Sequence, residues 1–119
     1  MEPLVAAARE AGVRDERVLD AIAAVPRANF VPAEWAERAD VDAPIPIPHW
    51  QVTTQPSLVA RMVEALALAG DERVLEIGTG YGWQTALLAR LAREVFSVER
   101  CSRAHVRQRR ERRRGSRES

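Results

Sequence analysis

The chain has 119 residues, 46% of them apolar and 29% charged, which suits one globular domain or part of one. One cysteine, Cys101, excludes an internal disulfide and a thiolate metal cluster, and no apolar run reaches the roughly 18–20 residues of a membrane span. The net charge of +1 divides unevenly: residues 1–100 hold 10 arginines against 15 acids, and residues 101–119 hold 8 arginines against 2 glutamates.

The N-terminus, MEPLVAAAREAG, lacks the basic-then-apolar order of a secretory signal, so a cytoplasmic location is expected. Residues 4–11 and 15–25 predict two short helices. In the second, Val18, Ile22 and Val25 recur at three- and four-residue steps, Asp15 can cap the start and Pro26 ends it. A turn follows, with a further short helix from Pro32. The prolines of VDAPIPIPHW exclude a helix and a central strand, so this segment is extended. Residues 56–68 then predict a helix with Leu58, Val59, Met62, Val63 and Leu66 on its apolar stripe and Gly70 closing it.

RVLEIG is a short buried strand, GYGWQTALLARLA a helix, and EVFSVE a second strand ending in an acid. Strand, glycine turn, helix, strand, acid is the opening βαβ unit of a doubly wound α/β sheet. CSRAHVRQRRERRR could begin the next crossover helix, but Ala104 and Val106 are almost its whole apolar stripe. The arginine-rich end, residues 101–119, is expected to be a solvated, disordered tail.

The turn carries the chemistry. Gly78 and Gly80 permit positive φ and remove the Cβ that would block a ligand, and Gly82 lets the helix start lie close to the strand. The helix's first N–H groups stay open to that ligand. G-x-G-x-G is one residue shorter than the dinucleotide fingerprint G-x-G-x-x-G, and suits S-adenosylmethionine, which has no pyrophosphate to cradle. Glu99, 17 residues after Gly82, can accept from both ribose hydroxyls. That argues against NADP without separating NAD from S-adenosylmethionine. A glycine-rich turn without ligand is the structural alternative.

Over roughly residues 4–100 the chain resembles the protein-L-isoaspartate O-methyltransferases. VLDAIAAVPRANFVP resembles that family's N-terminal signature, DVDAPIPIPHWQVTTQP its YxDxPLPIGHGQTISQP, and VLEIGTGYGWQTALLARLA with VFSVER its cofactor motif and second strand. The resemblance implies N-terminal helices followed by the first βαβ unit of a Rossmann-like methyltransferase fold with an incomplete sheet. It implies methyl transfer from S-adenosylmethionine to the free carboxyl of L-isoaspartyl residues in damaged proteins, a repair reaction. Isoaspartyl-containing proteins or peptides are the partners; no metal, membrane or specific nucleic acid is implied.

By the same resemblance the cofactor site comprises Thr53, Gly78, Thr79, Gly80, Gly82 and Glu99. Thr54 stands where the family has its active-site serine, keeping the hydroxyl and adding a methyl. His49 and Trp50 could line the substrate side. The chain departs from the pattern at Asp40, where an aromatic is common, at Pro48 and Trp50, where glycines are common, and at Thr53, where an apolar residue is usual. The family continues well beyond this point, so a truncated N-terminal portion is expected, with apolar strand edge exposed.

The nucleophile would be a carboxylate, already ionised at neutral pH, so no general base is needed. The protein must supply alignment and a water-poor pocket. Plainer roles stand beside each assignment: His49 as a solvated loop residue, Trp50 packed under its loop, Thr53 and Thr54 as helix caps. Trp35 and Trp83 suit packing, and Glu76 a structural strand-end acid or a partner for the methionine ammonium. Two other functions stay open: a non-catalytic cofactor-binding remnant, and a nucleic-acid binder acting through the basic tail.

Overall fold

The computed structural model describes residues 2–47, 51–99 and 102–107. His49, Trp50 and Cys101 lie outside them. Helix α1, Pro3–Glu10, begins with proline where a missing N–H costs nothing, and the Glu2 carboxylate accepts from the Val5 N–H at 2.8 Å. Helix α2, Glu16–Ala24, has the expected cap: Asp15 accepts from the Arg17 N–H. Two 3₁₀ turns follow, Arg27–Phe30 and Ala33–Arg38.

The described part of the proline-rich segment holds no helix, and its Pro46–Ile47 forms strand β1, paired antiparallel with β2, Gln51–Val52. Helix α3, Pro56–Ala65, is shorter than its sequence pattern predicts. The chain leaves the helix at Leu66, and Ala67 takes φ +50°. This turns Leu68 into the core, where the Arg17 guanidinium donates to its carbonyl.

Strand β3, Arg73–Ile77, helix α4, Trp83–Leu91, and strand β4, Glu94–Glu99, form the predicted βαβ unit. The strands are parallel, with Val74 opposite Val95 and Glu76 opposite Ser97. Beyond them the sequence expectation fails. Ser102–Arg107, where a crossover helix could begin, is strand β5, antiparallel to β4, giving the sheet order β3-β4-β5, and the remainder of the arginine-rich tail lies outside the described residues. A segment with almost no helical stripe gains little from a helix, whereas the free edge of β4 offers it a ladder of hydrogen bonds.

The core lies between the helices and one face of this sheet. Leu4, Ala8, Leu19, Ile22, Val59, Val63, Leu87 and Val95 are buried together. Burying one such side chain is worth about 1.5–3 kcal/mol. Strand alternation puts Val74, Glu76, Val95 and Ser97 toward α4 and Leu75, Ile77 and Val98 on the other face. There Leu75 is 65% and Ile77 74% exposed. The predicted stripe of α3 is only partly covered: Val59, Ala60 and Val63 are buried, while Leu58, Met62 and Leu66 are exposed. Among the described residues no helix is long and apolar enough to cross a membrane.

Candidate functional site

The end of β3 and the start of α4 are joined by the glycine turn. Gly78, Gly80 and Gly82 take φ +93°, +57° and +97°, a region that L side chains occupy only with strain. A Cβ at Gly78 would meet nothing within 4 Å, so this side of the turn opens onto free space. Gly82 caps α4 without a side-chain partner, leaving the first N–H groups of that helix to a ligand or solvent. Glu99, at the end of β4, curls back: its Oε1 accepts from the Gly80 N–H at 2.9 Å.

Beneath the turn lies a buried carboxylate. Glu76 Oε1 accepts from the hydroxyls of Thr85 and Ser97, each at 2.5 Å, and Oε2 from the Gln84 amide at 2.8 Å. Ser97 Oγ spends its proton on Glu76, so the 2.5 Å contact with Thr79 has Thr79 as donor. The Thr79 hydroxyl therefore ties the turn to the interior, and Glu76 holds both the start of α4 and the middle of β4. Both oxygens of Glu76 are occupied by protein donors, which favours its structural role.

A cleft of about 280 Å³ opens beside the turn, close to the lower end of the range of about 300–1,000 Å³ for small-molecule sites. Gly78, Thr79, Gly80, Gly82 and Glu99 line one side, Thr53 and Thr54 the other. The structure thus brings together all of the described residues assigned to the site from the sequence. The two threonines differ. The Thr53 hydroxyl accepts from the Ile45 N–H at 2.8 Å and from Arg27 Nη2 at 3.0 Å. Thr54 is exposed to the cleft and its hydroxyl has no partner among the described residues. Neither caps α3. That task falls to Asp42, whose Oδ1 accepts from the Ser57 N–H at 2.7 Å while Oδ2 accepts from the Gln55 amide at 3.0 Å.

Arg27 is a buried lining residue that the sequence did not single out. Its side chain is 2% exposed and its Nη1 and Nη2 donate to the carbonyls of Ala39, Val41 and Ala43 as well as to Thr53. The guanidinium lies 5.9 Å from the centre of the Trp83 ring. Burial pulls its pKa below the usual guanidinium value, and the negative charge of Asp42 acts the other way. For Asp42 burial raises the pKa, but hydrogen bonds from Gln55 and Ser57 and the charge of Arg27 more than offset it, holding the carboxyl below its ordinary range. Trp83 is buried, as its packing role requires, and donates from Nε1 to the Val25 carbonyl at 2.9 Å. Tyr81, which also lines the cleft, donates from its hydroxyl to the Pro46 carbonyl at 2.8 Å.

Comparison with known proteins identifies the family. The family model for protein-L-isoaspartate(D-aspartate) O-methyltransferase matches residues 1–118. A protein-L-isoaspartate O-methyltransferase of Myxococcus xanthus is 61% identical over 88 residues, covering 74% of this chain and 42% of that protein. A protein-L-isoaspartate O-methyltransferase 2 of Cupriavidus necator is 57% identical over 102 residues, covering 82% and 33%. A solved protein-L-isoaspartate O-methyltransferase superposes with a TM-score of 0.63 at 29% identity, covering 81% of this chain and 32% of the other. A Plasmodium falciparum structure described as a protein-L-isoaspartate O-methyltransferase, in complex with S-adenosyl-L-homocysteine, gives 0.64 at 22% identity, a likeness of fold. The chain spans less than half the length of these relatives.

Proposed function

The chain belongs to the protein-L-isoaspartate(D-aspartate) O-methyltransferase family, and from that premise we propose that it holds S-adenosylmethionine in the cleft beside the glycine turn and directs its methyl group to an isoaspartyl carboxylate. The substrates on this reading are isoaspartyl-containing proteins of the cytoplasm.

The residues present fit the cofactor. Gly78 leaves unfilled the space that a Cβ would take, and the N-cap of α4 has no side-chain partner. Glu99 Oε1 accepts from the Gly80 N–H, which would leave Oε2 for a ribose diol. When bound, the sulfonium supplies the methyl group, which the carboxylate oxygen takes as the carbon–sulfur bond breaks. The chain's own work is alignment. Glu99 would hold the sugar, and the backbone of Gly78, Thr79, Gly80 and Gly82 the methionine side. Thr54 would orient the incoming carboxylate through its free hydroxyl, with Thr53 beside it and His49 and Trp50 on the substrate side. No residue need take a proton, because the nucleophile arrives ionised.

The observation that carries this reading is the meeting of Glu99 with Gly80 in a cleft whose opposite wall is Thr54. Calorimetry of the 119-residue chain with S-adenosyl-L-homocysteine tests it, beside methyl transfer to an isoaspartyl peptide. Saturable heat, abolished in Glu99→Ala, is expected; no heat overturns the cofactor reading. A second reading, cofactor binding without turnover, is favoured by the uncovered sheet face at Leu75 and Ile77. Heat without methyl transfer would establish it.

A further inference from the structure

Arg27 combines two properties that seldom coincide in a scaffold residue. Its guanidinium is almost fully buried, and it lines the cleft. Burying such a group is costly unless its donors are satisfied. Here the donors meet three consecutive-alternate carbonyls, Ala39, Val41 and Ala43, at 3.1–3.4 Å, and one side chain, Thr53, at 3.0 Å. The carbonyls belong to the loop that leads into β1. Thr53 belongs to the segment that leads from β2 into α3. Arg27 therefore bridges two segments that are 12 to 26 residues away from it and clasps them beside the cleft.

The second clasp runs parallel to the first. Asp42, in the same loop, holds the Ser57 N–H and the Gln55 amide. Thr54 lies between the two anchored points, Thr53 and Gln55. Its neighbour Thr53 is fixed three times: its N–H donates to the Ile45 carbonyl at 2.8 Å, its hydroxyl accepts from the Ile45 N–H, and the same hydroxyl accepts from Arg27. Both lone pairs of Thr53 Oγ1 are thereby used, so this hydroxyl has no acceptor capacity left for a ligand. An apolar residue at position 53 could accept neither bond.

We propose that Arg27 is a positioning residue for the Thr54 wall of the cleft, acting through the Thr53 hydroxyl. What Thr54 does with its substrate rests on the methyltransferase reading; what holds Thr54 in place rests on the geometry alone. The stacking of the guanidinium near Trp83, the first residue of α4, links this wall to the glycine turn across the cleft.

The test uses hydrogen exchange on the whole chain, with Thr53→Val, Thr53→Ser and Arg27→Lys. Thr53→Val keeps the shape and removes the acceptor. Exchange over residues 39–45 and 51–55 should rise about ten- to a hundredfold, the scale of the two lost hydrogen bonds, while residues 74–98 keep their protection. Thr53→Ser should restore it. Arg27→Lys should loosen the same segments, and its effect on residues 51–55 should vanish in the Thr53→Val background. Unchanged exchange in Thr53→Val, loosening spread evenly over β3 and β4, failure of the serine to rescue, or additive effects of the two substitutions would each overturn the proposal.

One further measurement separates it from the reading it builds on: in methyl transfer, Thr53→Val and Arg27→Lys should each lower kcat, and the double variant should lower it no further than Thr53→Val alone. A wild-type chain that binds no S-adenosyl-L-homocysteine would remove the cofactor reading and leave the exchange experiment as the judge of Arg27.

Discussion

Glu99 and Gly80, nineteen residues apart in sequence, are joined by a 2.9 Å hydrogen bond from the Gly80 N–H to the Glu99 carboxylate. The acid at the end of the second parallel strand is thus part of the glycine turn as well as a wall of the cleft. One oxygen is committed to the turn; on the proposed reading the other is left for a sugar diol.

Substitution of Glu99 should therefore have two separable effects. Glu99→Ala should weaken S-adenosyl-L-homocysteine binding by about 1.5–3 kcal/mol, the range for hydrogen bonds to a charged group, and also free the turn. Glu99→Gln keeps an acceptor for Gly80 and should recover turn order but only part of the affinity. Calorimetry reads the first effect and amide exchange at Gly80 the second.

At Gly78 there is room for a methyl group, yet φ is +93°. Gly78→Ala should accordingly cost roughly 1–2 kcal/mol of stability through backbone strain and not through collision. A urea melt measures it, and an alanine that is neutral would mean that the turn relaxes freely.

Ser97→Ala removes the hydroxyl that joins Thr79 to Glu76. It leaves a buried carboxylate with one fewer donor and the Thr79 hydroxyl without its acceptor. A loss of about 1–3 kcal/mol is expected. Ser97→Thr would test whether the hydroxyl alone is sufficient, although the added methyl must fit a fully buried position.

Asp42 gives the acid limb. Its folded pKa is held below the ordinary value of about 3.9, burial opposing and the Gln55, Ser57 and Arg27 interactions prevailing. The unfolded chain therefore takes up the proton first as pH falls. The stabilisation is complete above the unfolded pKa and is lost as pH drops through the folded one. Thermal melts from pH 6 to pH 2 should show this step in the wild type, and Asp42→Asn should be less stable at neutral pH and lack this contribution.

The face carrying Leu75 and Ile77 predicts poor solubility. Ile77→Lys should reduce self-association, measured by light scattering, with little change in melting temperature. A large fall in melting temperature would mean that Ile77 is covered in solution.

Local features of this fold were legible because they depend on a few adjacent residues. Asp15 before a helical stripe, prolines excluding a helix at 44–48, and three glycines between strand and helix each carry their own physics. The cleft-lining set Gly78, Thr79, Gly80, Gly82, Glu99, Thr53 and Thr54 came partly from the spacing and partly from family resemblance. Arg27 was not legible in this way. A lone arginine between prolines has no periodicity, and its burial depends on carbonyls and a hydroxyl 12 to 26 residues further on. The stripe of α3 shows a related limit: spacing tells that Leu58, Met62 and Leu66 share an apolar face, but not what lies over it. Likewise β5 owes its conformation to the edge of β4, which no window over residues 102–107 contains.

The bond between Gly80 and Glu99 has a thermodynamic corollary. A loop that is already tethered gives up little further freedom when a guest arrives, so association should proceed with a small entropic penalty and without a slow closing step. Severing that tether should therefore slow capture as well as weaken it.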